Sequence, residues 1–214
     1  MSTYSPPTTL EIHPSLDAFR VPIREYLAST NPPLAGLIVS ALIFKPAKSH
    51  TANGGGAQRH GEKDRVLLVQ RSATDGCPHL WEAPGGGAEP GVDGSPLDAL
   101  VREVREETGL TVVRVRGLVD AETEWTVKGG AWRKASFEAE VEAHDQTSDI
   151  EADTVDVVLD PAEHQDYAWV SREELAGGMT ADGRELNITF PTQTDILMKG
   201  FDLRERTDLK LEAQ

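Results

Sequence analysis

One segment, Ser95 to Gly109, constrains the fold of this chain most, because it predicts a helix and also which face of that helix is buried. Ser95 is a typical N-cap residue, Pro96 suits the first helical position, and Gly109 suits the position after the last turn. At about 100° per residue, five residues share an arc of roughly 100° that can pack against a sheet. These are Leu97, Leu100, Val101, Val104 and Thr108. We therefore predict a helix over Ser95 to Thr108 with one apolar face.

The same helix has a second, acidic face. Glu103, Glu106 and Glu107 stand at i, i+3 and i+4, so they share a narrow strip that we expect to be exposed. Like charges at this spacing cost a few tenths of a kcal/mol per pair unless something neutralises them. Hard oxygen ligands without thiolates or a histidine pair select Mg²⁺ or Mn²⁺ over Zn²⁺. A solvated acidic face, with Arg102 and Arg105 as ion-pair partners, is the alternative interpretation.

Apolar runs on both sides of the helix predict strands. The predicted strands are Leu34 to Phe44, Arg65 to Arg71, Leu110 to Thr126 and Ala131 to Ala143, the last two joined by a turn at Gly129-Gly130. Further helices are predicted at Ser15 to Ser29 with an interruption at Pro22, after the capping-box residue Ser171, and over Pro191 to Arg206. Residues 1–14 are Pro/Thr-rich and residues 45–64 read as a long polar loop, a surface insertion or a lid over a site. This order of elements indicates α/β layers around a mixed sheet.

Composition excludes several classes of protein. The chain has 214 residues with 21 Lys+Arg and 36 Asp+Glu, so its net charge of −15 repels the phosphates of a long nucleic acid. The longest apolar stretch, Leu34 to Phe44, is about half the length that a membrane span needs. A single cysteine, Cys77, cannot form an internal disulfide and is interpreted as structural. We expect a soluble protein, with no membrane insertion and a cytoplasmic location.

A glycine-rich turn precedes the acidic helix. Residues 81–87 read WEAPGGG, a sequence in which backbone atoms can approach a phosphate or bind a metal through a carbonyl. The turn and the helix together resemble the Nudix hydrolase signature, G-x5-E-x7-R-E-U-x-E-E-x-G-U, where U is a bulky aliphatic residue. Residues 102–110 match every specified position of its second half.

This resemblance covers about residues 34–178 and implies a Nudix-type α/β/α sandwich with a mixed β-sheet. It makes residues 1–33 an N-terminal extension, residues 45–64 a polar insertion within the domain, and residues 179–214 a C-terminal helical extension.

The first half of the signature departs from the pattern. The family's first glutamate would fall on Gly94, and the stretch from Gly86 to Arg102 is two residues longer than the signature allows. Asp93 is the nearest substitute and Glu89 the second. In the family this acid supports the arginine and the loop, so the departure concerns the ion pair of Arg102 more than metal binding.

The resemblance implies roles for the matching residues. Glu103, Glu106 and Glu107 would hold one to three Mg²⁺ ions, or Mn²⁺, with a backbone carbonyl at Gly86 or its neighbour Gly85. The substrate would be a diphosphate that links two groups, and the metal would neutralise it and activate water. Glu106 and Arg102 would belong to the catalytic machinery.

A general base often lies outside the signature in this family, on a loop about six residues before a strand that begins with Trp-Val. Glu163 stands six residues before Trp169 and is the leading candidate. His164 is the alternative, because a neutral imidazole accepts a proton near neutral pH. Glu106 is the next candidate if Glu163 is not the base.

Three residues are candidates for binding substrate. Trp125 and Trp132 flank the Gly129-Gly130 turn and could stack on a base, although strand aromatics usually serve packing. Arg71 ends a strand near the glycine turn and could contact phosphate, although a surface ion pair is equally consistent.

The sequence therefore predicts a Mg²⁺-dependent hydrolase of a small-molecule diphosphate. A homodimer is the candidate assembly, because homodimers are the commonest soluble assembly. A non-catalytic Nudix-like module that binds a nucleotide-derived ligand is the alternative from another class, and RNA decapping is the rival within the enzymes. Nucleoside triphosphates, ADP-ribose, dinucleotides, CoA derivatives, sugar nucleotides and prenyl diphosphates all stay open as substrates, because loops set the pocket walls.

Overall fold

The computed structural model describes residues 9–45, 64–142 and 155–212, with side chains up to residue 206. Apart from Lys45 and Asp64 at its ends, the predicted polar insertion lies outside the described residues, as do residues 1–8 of the predicted Pro/Thr-rich segment.

The described residues form strands and helices in the predicted order. In chain order they are β1 (Glu11–Ile12), α1 (Ile23–Ser29), β2 (Gly36–Lys45), β3 (Arg65–Arg71), β4 (Trp81–Glu82), α2 (Pro96–Thr108), β5 (Val112–Val127), β6 (Gly130–Val141), β7 (His164–Ser171), α3 (Arg172–Gly177) and α4 (Pro191–Glu212). A 3-10 turn over Pro14–Phe19 precedes α1, so the predicted N-terminal helix is interrupted before Ile23, as Pro22 indicates. None of the helices in this described part of the chain is long and apolar enough to cross a membrane.

The strands form one mixed sheet, as predicted. Its order is β1-β5-β6-β2-β3-β4, and β7 pairs with β3. Strands β5 and β6 are antiparallel, whereas β2 and β6 are parallel. Between β2 and β3 the register is confined to Phe44–Lys45 and Arg65–Val66, after which the two strands separate. The glycine turn occupies the opening beside β2, where the Val39 N–H donates to the Gly86 carbonyl over 2.9 Å.

Helices cover both faces of the sheet, which confirms the α/β/α sandwich. The face under α1 and α2 buries side chains from both helices and from β2, β5 and β6, including Tyr26, Leu37, Val39, Leu97, Leu100, Val104, Val115 and Phe137. The opposite face lies under α3 and α4 and buries Leu42, Val66, Leu68, Trp81, Val170, Leu175, Ile196, Leu197 and Phe201. Both predicted extensions therefore contribute to the core, while the domain boundaries at residues 34 and 178 stay predictions.

Candidate active site

Helix α2 fixes the positions of the acidic residues. The Ser95 side chain accepts a hydrogen bond from the Asp98 N–H, and Gly109 ends the helix with a φ of 70° while its N–H donates to the Arg105 carbonyl. Leu97, Leu100 and Val104 pack in the core against the sheet, with Val101 partly buried beside them, and Thr108 is also buried. These contacts confirm the predicted helix, and they turn part of its acidic face toward the glycine turn.

A cavity of about 520 Å³ lies where the glycine turn, α2, the end of β3 and the start of β7 meet. Its lining is mostly polar and consists of Arg71, Thr74, Asp75, Gly85, Gly86, Gly87, Glu103, Glu107, Ala162, Glu163 and His164. The fold thus brings together most of the residues that the sequence singled out, from four separate parts of the chain.

Two of the three helix glutamates are buried under the glycine turn, so the expectation of an exposed face is wrong for them. The Gly85 N–H donates to Glu107 Oε2 over 2.7 Å. A Cβ atom on Gly86 would lie 2.6 Å from the Glu103 carboxyl carbon, so a glycine is required for this close approach. Burial raises the pKa of Glu103 despite the opposing charge of Arg102, and burial raises the pKa of Glu107 well above its usual range.

The third helix glutamate, Glu106, is exposed and pairs with Arg102. Arg102 Nη1 donates to Glu106 Oε2 over 2.8 Å, and the Glu106 side chain is 57% exposed. Glu106 does not line the cavity and instead borders a separate hollow with Arg102 and Arg105. Its metal-binding and catalytic roles stay predictions that require its side chain to leave Arg102.

The departure in the first half of the signature is compensated by Asp93. Arg102 Nε and Nη2 donate to the two Asp93 carboxylate oxygens over 2.8 and 2.9 Å, and Nη2 also donates to the Gly87 carbonyl. The hydrogen bonds with Asp93 raise the pKa of Arg102, and those from Arg102 lower the pKa of Asp93. Glu89, the second substitute, contributes its backbone N–H to Asp93. Arg102 therefore ties the glycine turn to α2.

His164 begins β7, five residues earlier than the predicted strand, and Glu163 lies in the turn directly before it. Glu163, His164 and Glu107 each offer one donor atom within 4.8 Å of the other two. The Glu163 side chain is exposed, whereas His164 is 2% exposed. Among the residues that the structure describes, neither ring nitrogen of His164 has a hydrogen-bond partner.

Sequence reasoning missed two charged residues beside the cavity, Glu82 and Lys134. His164 Nε2 is 3.7 Å from Glu82 Oε1. Burial acts to raise the pKa of Glu82, but His164 and Arg71 outweigh it and the net pKa is lowered. On β6, burial lowers the pKa of Lys134, although the negative charges of Glu82 and Glu107 act to raise it. Glu82 belongs to the WEAPGGG segment and could have been found there, but nothing in the strand pattern marks Lys134.

Arg71 forms the ion pairs that one interpretation of the sequence expects, while its contact with a phosphate stays a prediction. It forms ion pairs with Glu82 and Asp75, whose carboxylate oxygens are 2.5 and 2.6 Å from its guanidinium nitrogens. It also lines the cavity. Its pKa is raised, since the hydrogen bonds and charges of these two acids outweigh the effect of burial.

Trp125 and Trp132 lie apart from the cavity lining. Their rings stack on each other with centroids 6.4 Å apart, and Trp132 covers Gly36, where an added Cβ would be 2.6 Å from the ring. Trp132 is two residues before Lys134, so both side chains emerge on the same face of β6. Their substrate-binding role stays a prediction.

Comparison with known proteins agrees with this geometry. The family model described as NUDIX domain matches residues 55–190. The CTP pyrophosphohydrolase of Escherichia coli K12 is 32% identical over 117 residues, which are 53% of this chain and 72% of that protein. An RNA pyrophosphohydrolase of Rhizobium meliloti is 49% identical over 47 residues, 22% of this chain and 27% of that protein.

Solved structures show the same fold. A Caenorhabditis elegans Ap4A hydrolase binary complex superposes with a TM-score of 0.52 at 19% identity, covering 79% of this chain and 98% of that one. The MutT protein of Methanosarcina mazei Go1 gives a TM-score of 0.51 at 24% identity, with 79% and 94% covered. Since the family model spans more than half of the chain, and α2 places Glu103, Glu107 and Arg102 beside the glycine turn, the chain belongs to the Nudix hydrolases, enzymes that act on diphosphate-containing substrates.

Proposed function

We propose that this Nudix hydrolase cleaves the diphosphate linkage of a small nucleotide-derived or other organic diphosphate, and that it depends on Mg²⁺, with Mn²⁺ as a substitute. One observation supports this most directly: the buried carboxylate of Glu107, which accepts a hydrogen bond from Gly85, shares its surroundings with Glu82, Glu103 and Glu163. Negative charge held out of water in this way is costly unless a cation neutralises it.

The residues present fit a divalent cation. Carboxylates of Glu103, Glu106 and Glu107 would hold it, together with the Gly86 carbonyl, which keeps one lone pair after accepting the Val39 N–H. When bound, such an ion neutralises a diphosphate and lowers the pKa of the attacking water.

The chain's own residues would supply position and proton transfer. Glu163 is the exposed carboxylate at the cavity and would accept the proton of the attacking water, with His164 the alternative acceptor. Arg71 lines the cavity and would contact a phosphate oxygen. Arg102 would act by holding the glycine turn on α2 through Asp93 and Gly87.

A nucleotide is the substrate class with the most support. The relative matched over 72% of its own length is named a CTP pyrophosphohydrolase, and Trp132 shares the face of β6 with Lys134. A base stacked on Trp125 or Trp132 would leave the phosphates toward Lys134. The net charge of −15 disfavours a long RNA. A cytoplasmic location and a homodimer are further predictions.

The test is a release assay for pyrophosphate and phosphate over a substrate panel. The panel contains CTP, the other nucleoside triphosphates, a dinucleoside tetraphosphate, ADP-ribose, a sugar nucleotide and a 5′-triphosphate RNA, each with Mg²⁺, with Mn²⁺ and with EDTA. Hydrolysis of a small diphosphate that EDTA abolishes supports the proposal. Tight binding of a nucleotide without turnover would identify a binding module instead.

For the preferred nucleotide, Trp125→Leu should raise KM severalfold with little change in kcat, while an unchanged KM would remove the stacking role.

A further inference from the structure

We propose that His164 is an imidazole ligand of the catalytic cation, so that this cavity prefers first-row transition ions to Mg²⁺ more strongly than carboxylates alone would dictate. The inference rests on the proposed metal-dependent function and adds a nitrogen donor to it. It also revises the expectation from the sequence of an all-oxygen site.

The first observation is that the His164 ring is buried without a hydrogen bond from any described residue. It is 2% exposed, and both of its nitrogens lack a hydrogen-bond partner within residues 9–45, 64–142 and 155–206. A buried polar atom without a partner costs roughly 1–3 kcal/mol, so such groups normally serve a bound ligand, an ion or a water. The backbone holds the ring in this place, because the His164 N–H donates to the Asp160 carbonyl and β7 pairs His164 with Arg71.

The second observation is the distance to the acidic helix. His164 Nε2 is 4.0 Å from Glu107 Oε1, and a Glu163 oxygen completes a group whose donors all lie within 4.8 Å of one another. An ion with bonds of about 2.1 Å separates neighbouring donors by about 3.0 Å and opposite donors by about 4.2 Å. The separation of Nε2 and Oε1 falls inside this interval, whereas it is too long for a hydrogen bond. Because the Glu163 side chain is exposed, it can rotate to close the set.

The competing explanation is that His164 only positions its acidic neighbours through charge. Its Nε2 lies 3.7 Å from Glu82 Oε1, so a protonated ring would attract both Glu82 and Glu107. A positioning ring would affect all divalent ions alike. A nitrogen ligand would discriminate among them, because imidazole suits transition ions whereas Mg²⁺ prefers oxygen.

The test uses the full chain loaded with Mn²⁺, without substrate. Pulsed electron paramagnetic resonance detects the magnetic coupling between Mn²⁺ and a directly bound nitrogen. With wild-type protein we expect a nitrogen coupling that changes when histidine is labelled with ¹⁵N. His13→Gln, at an exposed histidine near the N-terminus, should leave the coupling intact, whereas His164→Gln should remove it.

Calorimetric titration with Co²⁺ and with Mg²⁺ provides the second readout. His164→Gln should weaken Co²⁺ binding by at least about tenfold and Mg²⁺ binding by less than about threefold. Equal losses for the two ions, or a wild-type Mn²⁺ spectrum without a histidine nitrogen coupling, would overturn the proposal. If His164→Gln does not fold, the ¹⁵N-labelled wild-type spectrum decides alone. Absence of binding by any divalent ion, with hydrolysis that survives EDTA, would instead refute the proposed metal-dependent function.

Discussion

Within residues 9–45, 64–142 and 155–206, two acidic hollows look alike in composition but differ in how their charge is neutralised. One is the cavity beside α2, and the other is a groove of about 380 Å³ between β5 and α4. Each contains a buried carboxylate: Glu107 is 4% exposed and Asp120 is 8% exposed. Burial acts to raise the pKa of Asp120, but Lys199 at 3.1 Å and the Glu122 N–H outweigh it, so the net pKa is lowered. For Glu107 burial dominates and the pKa is raised.

This difference suggests a criterion for the function that we propose for Glu107. Asp120 has a cation, one backbone N–H and the Thr123 hydroxyl as partners within the fold. Glu107 accepts a hydrogen bond from Gly85 but faces the added negative charges of Glu82 and Glu103. Both hollows are rich in acidic residues, so acidic content does not distinguish them. The informative property is a buried carboxylate whose charge the neighbouring residues do not neutralise.

The largest expected effect is that of Glu107→Gln. If Glu107 binds the cation as proposed, we expect kcat for the best diphosphate to fall by roughly 10³-fold or more, because loss of that ligand removes several kcal/mol of transition-state stabilisation. The glutamine oxygen can still accept the Gly85 N–H, so the Tm without metal should not fall. Turnover assays and thermal unfolding followed by circular dichroism measure both quantities.

Asp120→Asn is the matched control for this variant. It removes a buried carboxylate of similar exposure, so it should leave kcat within about twofold while lowering the Tm, because Lys199 loses its partner. Wild-type turnover in Glu107→Gln, or a large loss in Asp120→Asn, would reverse the assignment of the two hollows.

The next effect is that of Glu163→Gln at the mouth of the cavity. If Glu163 accepts the proton from water, its amide variant should lose about 10²-fold in kcat with little change in substrate affinity. His164→Gln assayed at saturating metal should lose less. A near-wild-type Glu163→Gln enzyme would eliminate that residue as the base, and Glu106→Gln would then test the next candidate.

The local parts of this site could be predicted from the sequence, whereas its burial could not. Helix α2, its Ser95 cap and its Gly109 end depend on neighbouring residues, so pattern and spacing suffice. The substitution of Asp93 for the missing glutamate also follows from spacing. Burial of Glu107 depends on a turn that crosses the helix, and such a contact is a property of the tertiary fold.

Residues that approach the site from strands distant in sequence are harder to predict. Lys134 is on β6, and its relation to Glu82 and Glu107 exists only because β6 lies beside β2 in the sheet. Strands β1 and β4 have two residues each, too few for a recognisable alternation. Strand β7 begins at His164, before the start at Trp169 that the sequence predicts, because the polar residues 164–166 hide the strand pattern.

A smaller effect is expected for Asp93, which neutralises the charge of Arg102 as Lys199 neutralises the charge of Asp120. Asp93→Asn should reduce kcat by about tenfold, because Arg102 loses the charge that holds it against the glycine turn but keeps its bond to Gly87. Glu89→Gln is the control, since Glu89 contributes its backbone N–H and should change nothing. Equal losses in the two variants would mean that Glu89 supports Arg102 as well.

The smallest expected effect is a dependence of the free energy of unfolding on pH. Its sign is opposite for Glu107 and for Asp120. The raised pKa of Glu107 means that the folded state holds its proton more tightly than the unfolded state. Its stabilising contribution is therefore full below the unfolded pKa of about 4.5 and is lost as pH rises through the folded pKa. Asp120 has a lowered pKa, so its contribution is present above the unfolded value of about 3.8 and is lost as pH falls through the folded pKa.

Thermal unfolding in EDTA from acidic to mildly alkaline pH measures both signs. The Tm of Glu107→Gln should increase relative to that of wild type as pH rises, because the amide cannot ionise. The Tm of Asp120→Asn should lie below that of wild type at neutral pH and approach it in acid. For a chain of this size each kcal/mol corresponds to roughly 2–4 °C, so shifts of this order can be resolved. A difference between Glu107→Gln and wild type that stays constant with pH would show that Glu107 holds no uncompensated charge, and the contrast between the two hollows would disappear.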